Sequence, residues 1–152
     1  MTAAACRADE VVARARAWIG TPYRHQASCR WAGTDCLGLV RGVWREVIGR
    51  EPEAPPSYTA DWSETEGAEA LLGAARRHLA PVPVEAARPG DVLVLRMRDG
   101  GVAKHVGFLA SSGQGHPTLI HAYSGHGVVE SPLTPAWSRR IAGVFRFPDR
   151  SS

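Results

Sequence analysis

Gly33-Thr34-Asp35-Cys36-Leu37-Gly38-Leu39-Val40 is the stretch where a turn becomes a helix. Thr34 or Asp35 can cap that helix. Leu39, Val40, Val43, Trp44, Val47 and Ile48 recur at the spacing of one buried face, and Gly49 supplies the stop. Cys36 therefore falls in the first helical turn. Free backbone amides and the positive end of the helix dipole both favour a thiolate there. Asp35 pushes the other way, unless its carboxylate turns back to cap the helix.

Upstream, Val11, Val12, Ala15, Trp18 and Ile19 form one apolar stripe, which predicts a helix from about Arg7 to Ile19, ended by Gly20 and Pro22. A loop from Thr21 to Thr34 carries Tyr23, His25, Cys29 and Trp31. Downstream of the cysteine helix comes a Pro-rich stretch, Glu51 to Tyr58, then a third helix over Ser63 to Leu79 closed by Pro81 and Pro83. The second half reads as strands: Asp91–Met97, His105–Ala110, Thr118–Tyr123, Gly127–Glu130 and Ile141–Phe147. Helices first and an antiparallel sheet after them make an α+β fold. No repeat or linker divides the chain, so one domain over 1–152 is expected, with its core at about 8–148.

Two histidines lie on those strands. His105 shares a strand face with Gly107 and Leu109, and His121 shares one with Leu119 and Tyr123. The loop-like segment Ser111 to Pro117 makes the two strands a hairpin. Pairing His105 with His121 centres the turn on residue 113, inside that loop. A slip of two residues keeps both imidazoles on one face. One ring is then a base and the other its orienter, beside a cysteine nucleophile. The other histidines are less placed: His25 could line a cleft, His78 ends a helix, and His116 and His126 sit at solvated turns.

Composition bounds the function. The 152 residues carry a formal charge of +3, and the arginines are scattered rather than clustered, which argues against a nucleic-acid site. No apolar run reaches the ~18 residues of a membrane span. Met1 to Glu10 lacks the features of a secretory signal. Three cysteines, Cys6, Cys29 and Cys36, do not indicate a disulfide framework. The Cys29-to-Cys36 spacing does not match a zinc knuckle, and neither metal nor cofactor is expected.

Gly20-Thr-Pro-Tyr23, Thr34-Asp-Cys36-Leu-Gly-Leu39, Gly90-Asp-Val-Leu, Lys104-His105-Val-Gly-Phe and Ile120-His121-Ala together resemble the NlpC-type cysteine peptidases. These are papain-like enzymes that cut cell-wall stem peptides. The resemblance implies Cys36 as nucleophile, His105 as general base and His121 as its orienter. It implies that Tyr23 lines the site and helps hold the scissile carbonyl, and that Asp35 binds a free substrate amine. The bond implied joins γ-D-glutamate to a diamino acid such as meso-diaminopimelate. Leu37 departs from the serine common in that amine pocket, so a longer or cross-linked stem peptide is expected to fit. The runs Tyr23–Ser28, Tyr58–Trp62 and Ala136–Arg140 look like the small peptidases encoded with tail genes of phages and gene transfer agents. That branch implies a chain made in the bacterial cytoplasm without a signal, monomeric in isolation, and carried to the wall with phage-like tail proteins. Two other readings stay open: a non-catalytic, peptidoglycan-binding tail component, and a thiol amidase or acyltransferase.

Overall fold

The computed structural model describes residues 3–52, 70–96 and 103–148. Helix α1 spans Ala3–Ala17 and α2 spans Cys36–Val47, with a two-stranded ribbon, β1 (Ser28–Cys29) and β2 (Gly33–Thr34), between them. Helix α3 is Ala70–His78. The strands that follow are β3 (Ala80–Val82), β4 (Val92–Arg96), β5 (Ala103–Ser111), β6 (Pro117–Tyr123), β7 (Gly127–Pro132) and β8 (Ile141–Arg146), with a short helix α4 (Pro135–Ser138) before β8. The sheet is antiparallel, in the order β3-β8-β4-β5-β6-β7. This is the α+β layering expected from helices followed by strands.

All five strands expected from the sequence are present. The continuous apolar run became β4, inside the sheet between β8 and β5. Its residues are buried on both faces. Val92 and Val94 join Val106, Phe108, Ala110, Ile120 and Ala122 under α1 and α2. Leu93 and Leu95 join Leu109, Leu119 and Val144 on the opposite face, covered by Leu133, Trp137 and Ile141.

The differences have local causes. Helix α1 stops at Ala17, and Gly20, at φ +97°, turns the chain away. Trp18 stays in the core while Ile19, expected on the same stripe, is 37% exposed. Pro81 lies within β3 rather than closing the helical half. A proline fits there because β3 is an edge strand paired only with β8. Residues 63–69 of the expected third helix, Met97 and the run Tyr58–Trp62 lie outside the described residues. Among the described residues no helix is long and apolar enough to cross a membrane.

Helix α2 is pressed close to its neighbours by missing side chains. A Cβ on Gly42 would overlap the Trp18 indole, and one on Gly38 would overlap the Ala27 carbonyl oxygen. Ser28 Oγ donates to the Gly38 carbonyl at 2.6 Å, and Arg45 holds the Ser28 carbonyl at 2.7 Å. The position of the helix start, and so of Cys36, is fixed by packing.

Candidate active site

Asp35 is the N-cap of α2. Its Oδ1 accepts from the Gly38 amide at 2.7 Å, and its Oδ2 accepts from the Gln26 amide at 2.7 Å. The side chain is buried. Both carboxylate oxygens thus serve backbone amides of the helix start and the preceding loop, the cap that the sequence allowed for.

Cys36 follows at the first helical position. The residue is half-buried. Burial pushes its thiol up to about 12, Asp35 pushes in the same direction, and the amides of Val106, Leu37 and Cys36 itself pull back. The helix start therefore acts as expected, but desolvation outweighs it. The thiol is thus pushed above its ordinary value rather than below it, a correction to the expected direction of its shift.

The Val106 amide reaches the sulfur because the sheet opens there. In β5, the Leu109 amide and carbonyl bond to the β4 side, to Asp91 and Gly90. Backbone donors alternate along a strand, so the Val106 N–H points toward β6. Paired register between β5 and β6 runs from Ser111↔Pro117 to Phe108↔Ile120 and ends there. Beyond it β6 stays paired with β7, to Tyr123↔Gly127. The thiol, delivered by a helix on one face, accepts from the Val106 amide at the edge of this opening.

The histidines come from the other face. The step after the last pair, Phe108↔Ile120, would set His121 opposite Gly107 rather than His105, the two-residue slip that keeps both rings on one face. Gly107 permits the approach: a Cβ there would lie 2.8 Å from the Ile120 carbonyl oxygen and 2.9 Å from the His121 Cβ. His105 Nε2 lies 2.7 Å from His121 Nδ1, and His121 Nε2 lies 3.1 Å from Ser131 Oγ. His105 is 6% and His121 2% exposed. Burial lowers His105 to about 3, reinforced by His121, and lowers His121 to about 4, reinforced by His126. Both rings are neutral near pH 7. With His105 Nε2 engaged by His121, Nδ1 is the ring nitrogen that this pair leaves over.

Trp137, from α4, caps this pair, with ring centroids 5.7 Å from His105 and 5.4 Å from His121. Tyr123 stands 5.5 Å from His121 and stacks on His126 at 5.3 Å. Tyr23 borders the sulfur from the loop, 36% exposed. Its phenol is raised to about 12, first by desolvation and then by Cys36 and Asp35. Leu37 packs on the core and His25 lies exposed in the same loop. The structure thus sets Tyr23 and Asp35 around Cys36, brings the Val106 amide to its sulfur, and pairs His105, the residue before Val106, with His121.

Sequence reasoning passed over Ser131, Tyr123, His126 and Trp137 as site residues. The alternation along β6 gave Tyr123 the same face as His121. Nothing local marked Ser131, which belongs to a part of β7 beyond the expected strand end. Among the described residues no group of three or more His, Cys, Asp or Glu could hold a metal ion.

The architecture recurs in solved structures. A Bacillus cereus NlpC/P60 family protein matches with a TM-score of 0.64 at 22% identity, over 92% of this chain and 40% of that one. This chain thus spans under half of that relative. The NlpC/p60 domain of the peptidoglycan hydrolase SagA matches at 0.60 and 24% identity, over 92% of this chain and 98% of that one. An N-acetylmuramoyl-L-alanine amidase from Bacteroides uniformis matches at 0.57 and 14% identity, over 94% and 99%. These likenesses establish the fold, the papain-like NlpC/P60 one. No curated protein matches the sequence. The NlpC/P60 family pattern matches residues 20–146, from the turn after α1 to the end of β8 and across every residue of the site, and the chain belongs to the NlpC/P60 family.

Proposed function

We propose that this chain is a peptidoglycan hydrolase, a cysteine endopeptidase that cuts stem peptides between D-glutamate and a diamino acid. The observation that carries the reading is the buried His105 Nε2–His121 Nδ1 hydrogen bond of 2.7 Å, beside a thiol at a helix start. A thiol, a neutral imidazole and an orienting second ring are the parts of a nucleophile activated by an adjacent base. The functions named for two of the similar structures, a peptidoglycan hydrolase and an N-acetylmuramoyl-L-alanine amidase, agree with it.

In this mechanism the Cys36 thiol gives its proton to His105 Nδ1 as the sulfur attacks the amide carbon. Because the resting pair is neutral, transfer accompanies attack. The new imidazolium is held by its Nε2–H, donated to His121 Nδ1. The oxyanion meets the Cys36 backbone amide, and such a donor is worth about 2.7–4 kcal/mol in a well-formed hole. His105 then protonates the leaving amine. Water, deprotonated by the same ring, hydrolyses the thioester, releasing the acid and restoring the thiol.

The proposal extends to setting. Cleavage occurs in the periplasmic wall by a single peptidase domain, monomeric in isolation, delivered with phage-like tail proteins. The branch resemblances at Tyr23–Ser28 and Ala136–Arg140 support this part.

A second reading is favoured by one feature. Asp35 is buried with both oxygens on backbone amides, and Leu37 is apolar, so two residues of the implied amine pocket offer a substrate ammonium little. Cross-linked peptides, or the muramoyl–alanine amide, then become better substrates than free stem peptides.

Mass spectrometry of diaminopimelate-type stem peptides and whole sacculi, incubated with wild type and with Cys36→Ala, tests both. Cleavage after D-glutamate by wild type only supports the endopeptidase. Release of intact stem peptides from the glycan supports the amidase. No product from folded, reduced wild type leaves a binding module.

A further inference from the structure

The chain of ring nitrogens in this site has a direction, and the direction decides whether it works. His105 Nδ1 can accept the thiol proton only if the ring's hydrogen sits on Nε2. That hydrogen then points at His121 Nδ1, 2.7 Å away, which must be bare. The hydrogen of His121 is thereby forced onto Nε2, and its neighbour is Ser131 Oγ at 3.1 Å. Reversing the chain puts a hydrogen on His105 Nδ1, which then cannot accept a proton from the thiol. Both arrangements satisfy the same heavy-atom distances.

We propose that Ser131 is a positioning residue: its hydroxyl accepts from His121 Nε2 and so holds both imidazoles in the tautomers that leave His105 Nδ1 free to take the thiol proton. The inference rests on the reading of Cys36 and His105 as nucleophile and base. It assigns to β7 a part in the site that neither helix α2 nor the β5–β6 hairpin supplies. Ser131 is half-buried, opposite Leu119 in the register, so its oxygen faces the imidazole side of the sheet. Its chain neighbour Glu130 turns the other way, to Arg16 and Thr118. The titratable groups around His121 among the described residues are His105, Tyr123 and His126. None of the three is a carboxylate, so no acidic group in this set orients the ring, and a neutral hydroxyl does so instead. Because both rings stay neutral near pH 7, tautomer rather than charge is the property to be set.

The test uses the whole protein, labelled with 15N, and the variants Ser131→Ala and Ser131→Thr. Long-range 1H–15N correlation reads the tautomer of each ring. Wild type is expected to show both His105 and His121 as Nε2–H. Ser131→Ala is expected to show His121 as a mixture, with kcat on sacculi reduced about tenfold, the worth of one buried hydrogen bond, and KM unchanged. Ser131→Thr, which keeps the hydroxyl, is expected to restore both. Wild-type His121 carrying its hydrogen on Nδ1 overturns the proposal. So does a Ser131→Ala variant that keeps the wild-type tautomer and rate. If wild type cleaves no wall substrate, the hydrolase reading falls alone. The tautomers and the rate of Cys36 alkylation by iodoacetamide at neutral pH, expected to slow in Ser131→Ala, still decide the role of Ser131.

Discussion

Replacing Asp35 with asparagine separates two roles for this residue, capping a helix and binding a substrate amine. The change preserves shape and leaves one oxygen to accept from the Gly38 amide, now at 2.7 Å. The second oxygen becomes an NH2 facing the Gln26 amide, also at 2.7 Å, so a donor meets a donor. A charge-assisted bond of about 1.5–3 kcal/mol is lost and the new NH2, at a buried position, meets a donor instead of an acceptor, so about 2–4 kcal/mol of stability should go. For a chain of this size each kcal/mol moves Tm by roughly 2–4 °C, so a fall of roughly 4–16 °C is expected in calorimetry. Asp35 also raises the Cys36 thiol. Removing its charge lowers that pKa, so the pH profile of Cys36 alkylation should shift toward acid. A variant with unchanged Tm and alkylation profile, but with a raised KM only for peptides with a free N-terminus, would refute the capping argument and make Asp35 a substrate ligand.

Cys36→Ala should abolish turnover while leaving Tm within about 2 °C of wild type, and Cys29→Ser, at an exposed thiol, should keep most activity in the same sacculus assay. Arg146→Met should cost about 1–3 kcal/mol in urea denaturation, because it leaves the buried Asp91 carboxylate, which Arg146 holds at 2.8 and 2.9 Å, with the Arg88 amide at 3.0 Å but without its cation. Asp91→Asn added to it should recover part of the loss. Gly42→Ala should cost about 1–3 kcal/mol, since the new methyl overlaps the Trp18 ring, read as a lower urea midpoint. The folded state lowers His105 and His121 to about 3 and 4 from 6.5, so protons bind the unfolded chain first. The stability this represents is whole above pH 6.5 and is lost as pH falls from 6.5 toward 3. His121→Asn should lose less Tm than wild type between pH 6.5 and 4.

The helix start around Cys36, its cap and its buried face were legible because each depends on neighbours within one or two turns. The strands were legible as apolar runs, and the imidazole pair as a parity of two along a hairpin. The register came out two residues away because a loop fixes parity more tightly than length, and Gly107 is what admits the displaced ring. The thiol shift was misjudged for a different reason. The helix dipole and the amides of the first turn act locally and are visible in sequence, whereas desolvation depends on how distant segments pack over the helix start. Ser131 and Trp137 join the site through pairing and packing between segments far apart in the chain, which no local pattern encodes.

The opening between β5 and β6 gives the two halves of the chemistry separate environments. Sulfur arrives from the helical side, while the imidazoles sit on the other face under Trp137. A substrate must therefore meet sulfur and base at this opening, while the loop Thr21–Thr34 and the residues after Cys36 can vary to suit new acyl groups without touching the His121–Ser131 end of the proton path. Recognition by the loop and orientation of the base by β6 and β7 are, in this fold, free to evolve on separate elements.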